Sequence, residues 1–269
     1  MSRFPRIESR QNPRIKSLVR LKNARDRTTQ GRFIVEGELE VARAFAAERI
    51  IPELFLCPDH WRDGDRVETI ISQARLQHTK ITELPPEVFA KVSLREGADG
   101  VLAVASHKPL LMKSLKLPDE PLLVIVEKIE KPGNLGALIR TAEAAGAHAL
   151  IACDAVADFE NPQVIRNSRG LVFSLPCVHS DREQLESFLE EKGIRTIATT
   201  PHTELEYWDA PMAGPLAVLA GAEHDGLSDY WLERASAKVR IPMEGSADSL
   251  NVNIATAVVL FEALRQRRD

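Results

Sequence analysis

Three short stretches in the second half of the chain place small and polar residues where a scaffold needs only a turn. The first, KPGNLGALIR, sets Gly133, Asn134 and Gly136, and then Arg140, at the mouth of a strand-to-helix turn. Its glycines let backbone approach a ligand, and the amides opening the helix would face it. Arg140, about one and a half turns along, offers a cation to the same opening. The second, LAGAEHDGLS, carries Ala220, Gly221, Glu223 and Gly226 after an apolar run. The third, IPMEGSADSLNVNIA, leads from Ile241 and Met243 through a polar loop to a helix start bearing Ser249, Leu250 and Asn251. Singly each has a plainer reading: a tight turn for PGNLG, a solvated carboxylate for Glu223, a helix N-cap for Ser249. Together they fall at strand ends of one sheet, where open parallel sheets bind their ligands.

The elements that must position these loops alternate from residue 120 onward. Apolar strands LLVIVEKI, ALIACDA, RTIATT and PLAVLAGAE are interleaved with helices LGALIRTAEAA, REQLESFLEEKG, SDYWLERASA and a final LNVNIATAVVLFEALRQR. NPQVIRNSRG reads as a short helix or turn, LVFSLPCV as a strand, and KVRIPM as strand-like. Strands this apolar, separated by helices, indicate a parallel sheet covered on both faces. Residues 1–106 read as a smaller α/β unit. Its helices are GELEVARAFAAERI (Leu39, Ala42, Arg43 and Ala46 at helical spacing), RVETIISQARLQ and PPEVFAKVS, and its strands PELFLC and GVLAVAS. Residues 107–119, HKPLLMKSLKLPD, break the pattern and read as a linker to a second domain over 120–269.

Charge is unevenly spread. The net charge of −4 argues against nucleic acid, yet residues 1–32 hold ten Lys and Arg against two acids, a balance of +8 that leaves −12 elsewhere. A basic arm bearing Arg10, Arg14, Lys16 and Arg20 suits phosphate contacts, because each neutralised phosphate releases counterions. The alternative is a solvated, frayed terminus. The three cysteines and seven histidines show no metal-ligand spacing, so no metal is expected, and sparse cysteines suit a reducing cytoplasm. No apolar run approaches a membrane span, and the N-terminus lacks a secretory pattern.

Taken together, NxGxxxR at Asn134–Arg140, GxExxG at Gly221–Gly226 and IPMxGxxxSLNVxxA from Ile241 resemble the three motifs of the SpoU (TrmH-like) family of SPOUT RNA methyltransferases. FIVEGELEVARAF and GVLAVAS resemble that family's L30e-like substrate-binding domain, and SRGLVFSLPCV resembles the thiostrepton-resistance ribosomal RNA methyltransferases. The resemblance implies an α/β-knot fold with a deep C-terminal trefoil knot, against the rule that chains do not thread loops. It implies S-adenosylmethionine held at Gly221, Ile241 and Leu250, flanked by Ala220 and Met243. The reaction implied is methyl transfer to a ribose 2′-hydroxyl of RNA. Arg140 would be the catalytic arginine, with Asn134, Glu223, Ser249 and Asn251 orienting it and the ribose, and Arg169 would join the basic arm on the RNA. A homodimer is implied too, with the apolar Ile254, Val258 and Phe261 face of the last helix a contributor.

The two-domain layout with an L30e-like front resembles that of ribosomal RNA modifiers, which implies ribosomal RNA, 23S above all, as substrate; transfer RNA, on which relatives with related motifs act, is the alternative. A nucleotide-dependent dehydrogenase would use the same strand ends, but no GxGxxG follows the first strand of the sheet. A non-catalytic RNA-binding protein of the same fold is the remaining alternative, against which the full set of polar motif residues speaks.

Overall fold

The structure is a computed structural model that describes residues 3–222, 225–246 and 249–268. Two compact units divide the chain: residues 1–108 with 160–174, and residues 109–159 with 175–269.

The basic N-terminal segment is folded, not frayed. Asn12 accepts from the Arg14 amide and starts α1 (Pro13–Arg20), with proline at its first position where no donor is lost. Ile15, Leu18 and Leu21 are buried and join Ile34, Phe55, Phe89 and Val104 in one core. Helix α2 (Ala24–Gln30) then stops at Gly31, whose left-handed φ of 60° closes the helix. Next come β1 (Arg32–Glu36), α3 (Glu38–Ala46), β2 (Glu53–Leu56), α4 (Gly64–Leu76), β3 (Lys80–Glu83), α5 (Pro86–Val92) and β4 (Val101–Ser106). They form a mixed sheet in the order β1-β4-β2-β3, with only β2 and β3 parallel. Strands β1 and β3 are absent from the sequence reading, being short and edged with charge. The buried face of α3 is Val41, Ala44 and Phe45, while Ala46 is exposed, so it lies about one residue off the Leu39–Ala42–Ala46 spacing.

The second unit is the parallel sheet expected from its apolar strands. Its elements are β5 (Leu122–Glu127), α6 (Pro132–Ala144), β6 (Ala149–Cys153), β7 (Cys177–Ser180), α8 (Arg182–Glu191), β8 (Arg195–Thr199), β9 (Leu216–Ala220), α9 (Asp229–Arg234), β10 (Ala237–Val239) and α10 (Val252–Gln266). Helix α7 (Pro162–Asn167) lies between β6 and β7 in sequence and belongs to the first unit. The sheet order is β10-β8-β9-β5-β6-β7, and every pairing is parallel. Strands β5, β6 and β9 are fully buried, which is why they read as unbroken apolar runs. Met112, Leu115 and Leu117, from the stretch read as a linker, pack against this unit's core.

Two strand expectations are corrected. LVFSLPCV is a 3-10 turn over Leu171–Phe173 followed by β7, which starts only at Cys177, because Gly170 turns the chain with φ 77° and Pro176 has no amide to donate. Likewise only Lys238 and Val239 of KVRIPM belong to β10, with Arg240 adding a single bridge to Glu206; Pro242 cannot donate to a ladder, and Ile241–Met243 run as irregular chain. Among the described residues no helix is long and apolar enough to cross a membrane. No group of three His, Cys, Asp or Glu among them could hold a metal ion.

Candidate active site

The carboxyl ends of β8, β9 and β10 and the start of α10 enclose a cavity of about 320 Å³. Ala220, Gly221, Ile241, Met243, Ser249 and Leu250, residues singled out in the sequence, all line it. Leu227, Leu232 and Ala255 complete its apolar wall. Size and lining match a small-molecule site: mostly apolar, with a few placed polar groups.

Gly221 is required by close packing. A Cβ there would sit 2.0 Å from the Gly226 carbonyl carbon and 2.2 Å from the Leu227 nitrogen, both backbone atoms that cannot swing away. The chain is pinched at that point: the Ala222 and Gly226 amides each donate to the other's carbonyl, at 3.0 and 3.1 Å. Gly226 takes φ 68°, which a side chain would strain. The two glycines thus let the backbone at 221–222 pack against that at 226–227, and Gly221, Ala222, Asp225 and Gly226 line the cavity. Glu223 lies outside the described residues.

Thr199, the last residue of β8, and Thr200, Pro201 and His202, which follow it, also line the cavity and were not singled out in the sequence. Their signal was available: a TTPH run at the carboxyl end of an apolar strand is another small-polar strand end. Thr199 Oγ1 is buried without a hydrogen-bond partner among the described residues. A buried hydroxyl left unpaired costs free energy, and a ligand that bonds it recovers that cost. The cavity therefore fits a bound cofactor with an apolar body and polar edges.

The remaining motif residues stand on two packed helices. Asn134 lies in the first turn of α6, half-buried, its amide donating to the Lys131 carbonyl at 3.0 Å. Arg140, on the same helix, is exposed and makes no hydrogen bond or ion pair among the described residues. Its neighbours Leu138, Ile139 and Ala142 are buried, so the helix is anchored while Arg140 faces out. Asn251, not Ser249, caps α10: its Oδ1 accepts from the Asn253 amide at 3.0 Å. Helices α6 and α10 are joined by the Thr141 hydroxyl, which donates to Asn253 Oδ1 at 2.7 Å. Neither Arg140, Asn134 nor Asn251 lines the cavity; the α6–α10 pairing relates them to it.

The Cys153 thiol at the end of β6 is buried and pushed up to about 12, mainly by burial and then by Asp154, so it is no nucleophile near neutrality.

In the first unit the basic residues divide. Arg14 is turned inward, bonding Glu53 Oε2 at 2.6 Å and lying over the Phe55 ring at 5.0 Å. Arg10 donates to the Glu87 carbonyl at 2.8 Å. Lys16 and Arg20 stand exposed on α1. Arg169 is exposed after α7 with a left-handed φ of 53°, its carbonyl accepting from Arg43 at 2.6 Å.

Two family models match the chain. The SpoU rRNA Methylase family model covers residues 121–261, and that of the MRM3-like substrate binding domain covers residues 12–103. The chain is 30% identical over 258 residues to a 23S rRNA (guanosine(2553)-2′-O)-methyltransferase of Bacillus subtilis, covering 95% of this chain and 97% of that protein. A crystal structure of an RNA 2′-O ribose methyltransferase is similar with a TM-score of 0.87 at 37% identity, covering 98% of this chain and 100% of that one. An AdoMet-bound rRNA methyltransferase from Sinorhizobium meliloti is similar with a TM-score of 0.89 at 26% identity, covering 98% of each.

Proposed function

Because the chain belongs to the SpoU rRNA methylase family, we propose that it is an S-adenosylmethionine-dependent 2′-O-ribose methyltransferase acting on 23S ribosomal RNA. The observation that carries the reading is the cavity that gathers Gly221, Ile241 and Leu250 at the strand ends, beside a helix pair bearing an exposed, unpaired arginine.

Ala220, Gly221, Ile241, Met243 and Leu250 hold the cofactor, mostly through backbone and apolar contact. When bound, S-adenosylmethionine supplies a methyl group already activated by its sulfonium charge. The chain's own task is to align the ribose hydroxyl and lower the cost of removing its proton. Arg140 cannot act as a base, since a guanidinium keeps its proton far above neutral pH. It binds the target phosphate or the developing alkoxide, placing positive charge where negative charge forms. Asn134, Glu223, Ser249 and Asn251 orient that arginine and the ribose. Because Asn251 Oδ1 is engaged in capping α10, its amide NH2 is the group free to donate.

Lys16, Arg20, Arg10 and Arg169 contact RNA phosphates, the first two being exposed along one helix. Arg14 contributes less, since its guanidinium is engaged with Glu53. The active form is a homodimer, a reading supported by the exposed Ile254 and Phe261 seven residues apart on α10, at 51% and 49% exposure. The trefoil knot belongs to the same reading, supported by the return of the chain from edge strand β10 to α10, which packs on β9 and α6.

The test is transfer of labelled methyl from S-adenosylmethionine into purified 23S RNA and, separately, transfer RNA. Label at a ribose of 23S RNA is expected. Label in transfer RNA alone would move the substrate, and no label in either despite cofactor binding would leave a non-catalytic RNA-binding protein.

A further inference from the structure

Glu127 closes β5 and is 1% exposed, yet it is not among the residues that line the cavity described above and belongs to none of the three motifs. Both its oxygens go to one residue across the sheet: Oε2 accepts from the Ser228 amide at 2.7 Å and Oε1 from the Ser228 hydroxyl at 2.6 Å. Ser228 is the N-cap of α9, a position where a serine hydroxyl ordinarily accepts from its own helix. Here it makes no such bond and donates to Glu127 instead. A cap has been given up for a link between the end of β5 and the start of α9.

What that link holds is the cavity wall. Ala222 and Gly226 are paired there, and Leu227 leads directly into Ser228 at the start of α9. Leu227 and Leu232 line the cavity, while Leu227 and Trp231 sit in the sheet core. At the other end, Lys128 follows Glu127 with a left-handed φ of 51°, its amide donating to the Cys153 carbonyl at 2.9 Å, and α6 with Asn134 and Arg140 begins four residues later. Such a backbone persists only where the surroundings over-determine it. Folding alone does not call for a carboxyl group at a buried strand end, since a well-packed apolar residue costs less to bury.

We propose that Glu127 is a positioning residue of the methyl-transfer site: through Ser228 it fixes Leu227 and the start of α9, which wall the cavity, to the end of β5 that leads into the helix carrying Arg140. The inference rests on the methyltransferase reading above.

The experiment is calorimetric titration of the full chain with S-adenosylhomocysteine, with the thermal midpoint measured in parallel. Glu127→Ala removes both bonds and raises Kd about tenfold, some 1.4 kcal/mol. Glu127→Gln restores binding to within about twofold, because its amide oxygen accepts from the Ser228 N–H and its NH2 donates to the Ser228 oxygen. Ser228→Ala loses only the hydroxyl bond and raises Kd about threefold, which keeps the test open should Glu127→Ala not fold. The double variant binds no worse than Glu127→Ala alone, as expected of one shared contact. A Glu127→Ala or Ser228→Ala protein that binds as tightly as wild type, with only its thermal midpoint lowered, would make the pair merely structural and overturn the proposal. Wild-type protein that does not bind S-adenosylhomocysteine would instead overturn the methyltransferase reading on which it rests.

Discussion

The Thr141 hydroxyl donates to Asn253 Oδ1 at 2.7 Å, joining the helix of Arg140 to the helix capped by Asn251. The bond is part-buried and spans 112 residues of sequence, so it is a direct tie between the first and third motifs. Thr141→Val keeps the shape and removes the donor, leaving Asn253 Oδ1 unpaired. Stability should fall by about 0.5–1.5 kcal/mol, the net worth of such a bond. Methyl transfer should fall further than that loss explains. Chemical denaturation and single-turnover kinetics on the same sample separate the two effects.

Gly221→Ala places a Cβ 2.0 Å from the backbone of Gly226. The loop must open to admit it, and the cavity wall moves with it. Binding of S-adenosylhomocysteine should be lost while far-ultraviolet circular dichroism stays close to wild type. Tight binding by this variant would show that the pinch does not shape the site.

Arg140→Lys retains a cation but loses the planar fork that matches phosphate or alkoxide geometry. With the residue exposed and outside the cavity, cofactor binding should be unchanged. The rate at saturating cofactor should fall by about two to three orders of magnitude, as for loss of one preorganised charge-stabilising donor. Full activity would remove Arg140 from the chemistry.

Phe261→Asp puts a charge on the exposed apolar face of α10, where Phe261 and Ile254 stand about half exposed. Sedimentation analysis should show monomer for the variant and dimer for wild type. Identical sedimentation of the two would remove this face from the interface.

Burial raises the Cys153 thiol to about 12, above the ordinary thiol value it takes when unfolded. Its contribution to stability is therefore fully present below the unfolded value and is lost as pH rises from there through about 12, since over that window the folded state holds the proton and the unfolded state does not. Urea midpoints should fall more steeply between pH 8 and pH 11 for wild type than for Cys153→Ala. At pH 8 the folded thiol should also resist alkylation by iodoacetamide. Equal slopes would assign the alkaline loss to other groups.

Much of this molecule is written in local patterns. The apolar runs at β5, β6 and β9 announce a parallel sheet because both of its faces are covered, and polarity appears only where the strands end. The motif loops are legible for the same reason: glycines at 221 and 226 and the polar run before α10 are more than a plain turn needs at a strand end. Short-range competition is what blurred the rest. Ser249 and Asn251 are both good caps, and only the chain's path chose Asn251. LVFSLPCV has the composition of a strand, but Gly170 and Pro176 leave only its end in the ladder.

Residue types and their order thus determined the parallel α/β class, which follows from burial periodicity, the three motif loops at strand ends, which follow from their glycines and polar runs, and the family, which those motifs resemble. Tertiary structure alone decided that Thr199–His202 share the cavity, that Arg14 turns inward while Lys16 and Arg20 stay exposed, and that Glu127 reaches Ser228 101 residues away. Each of these is a contact between distant segments, set by strand order and helix packing, and no pattern along the chain encodes a distance across it.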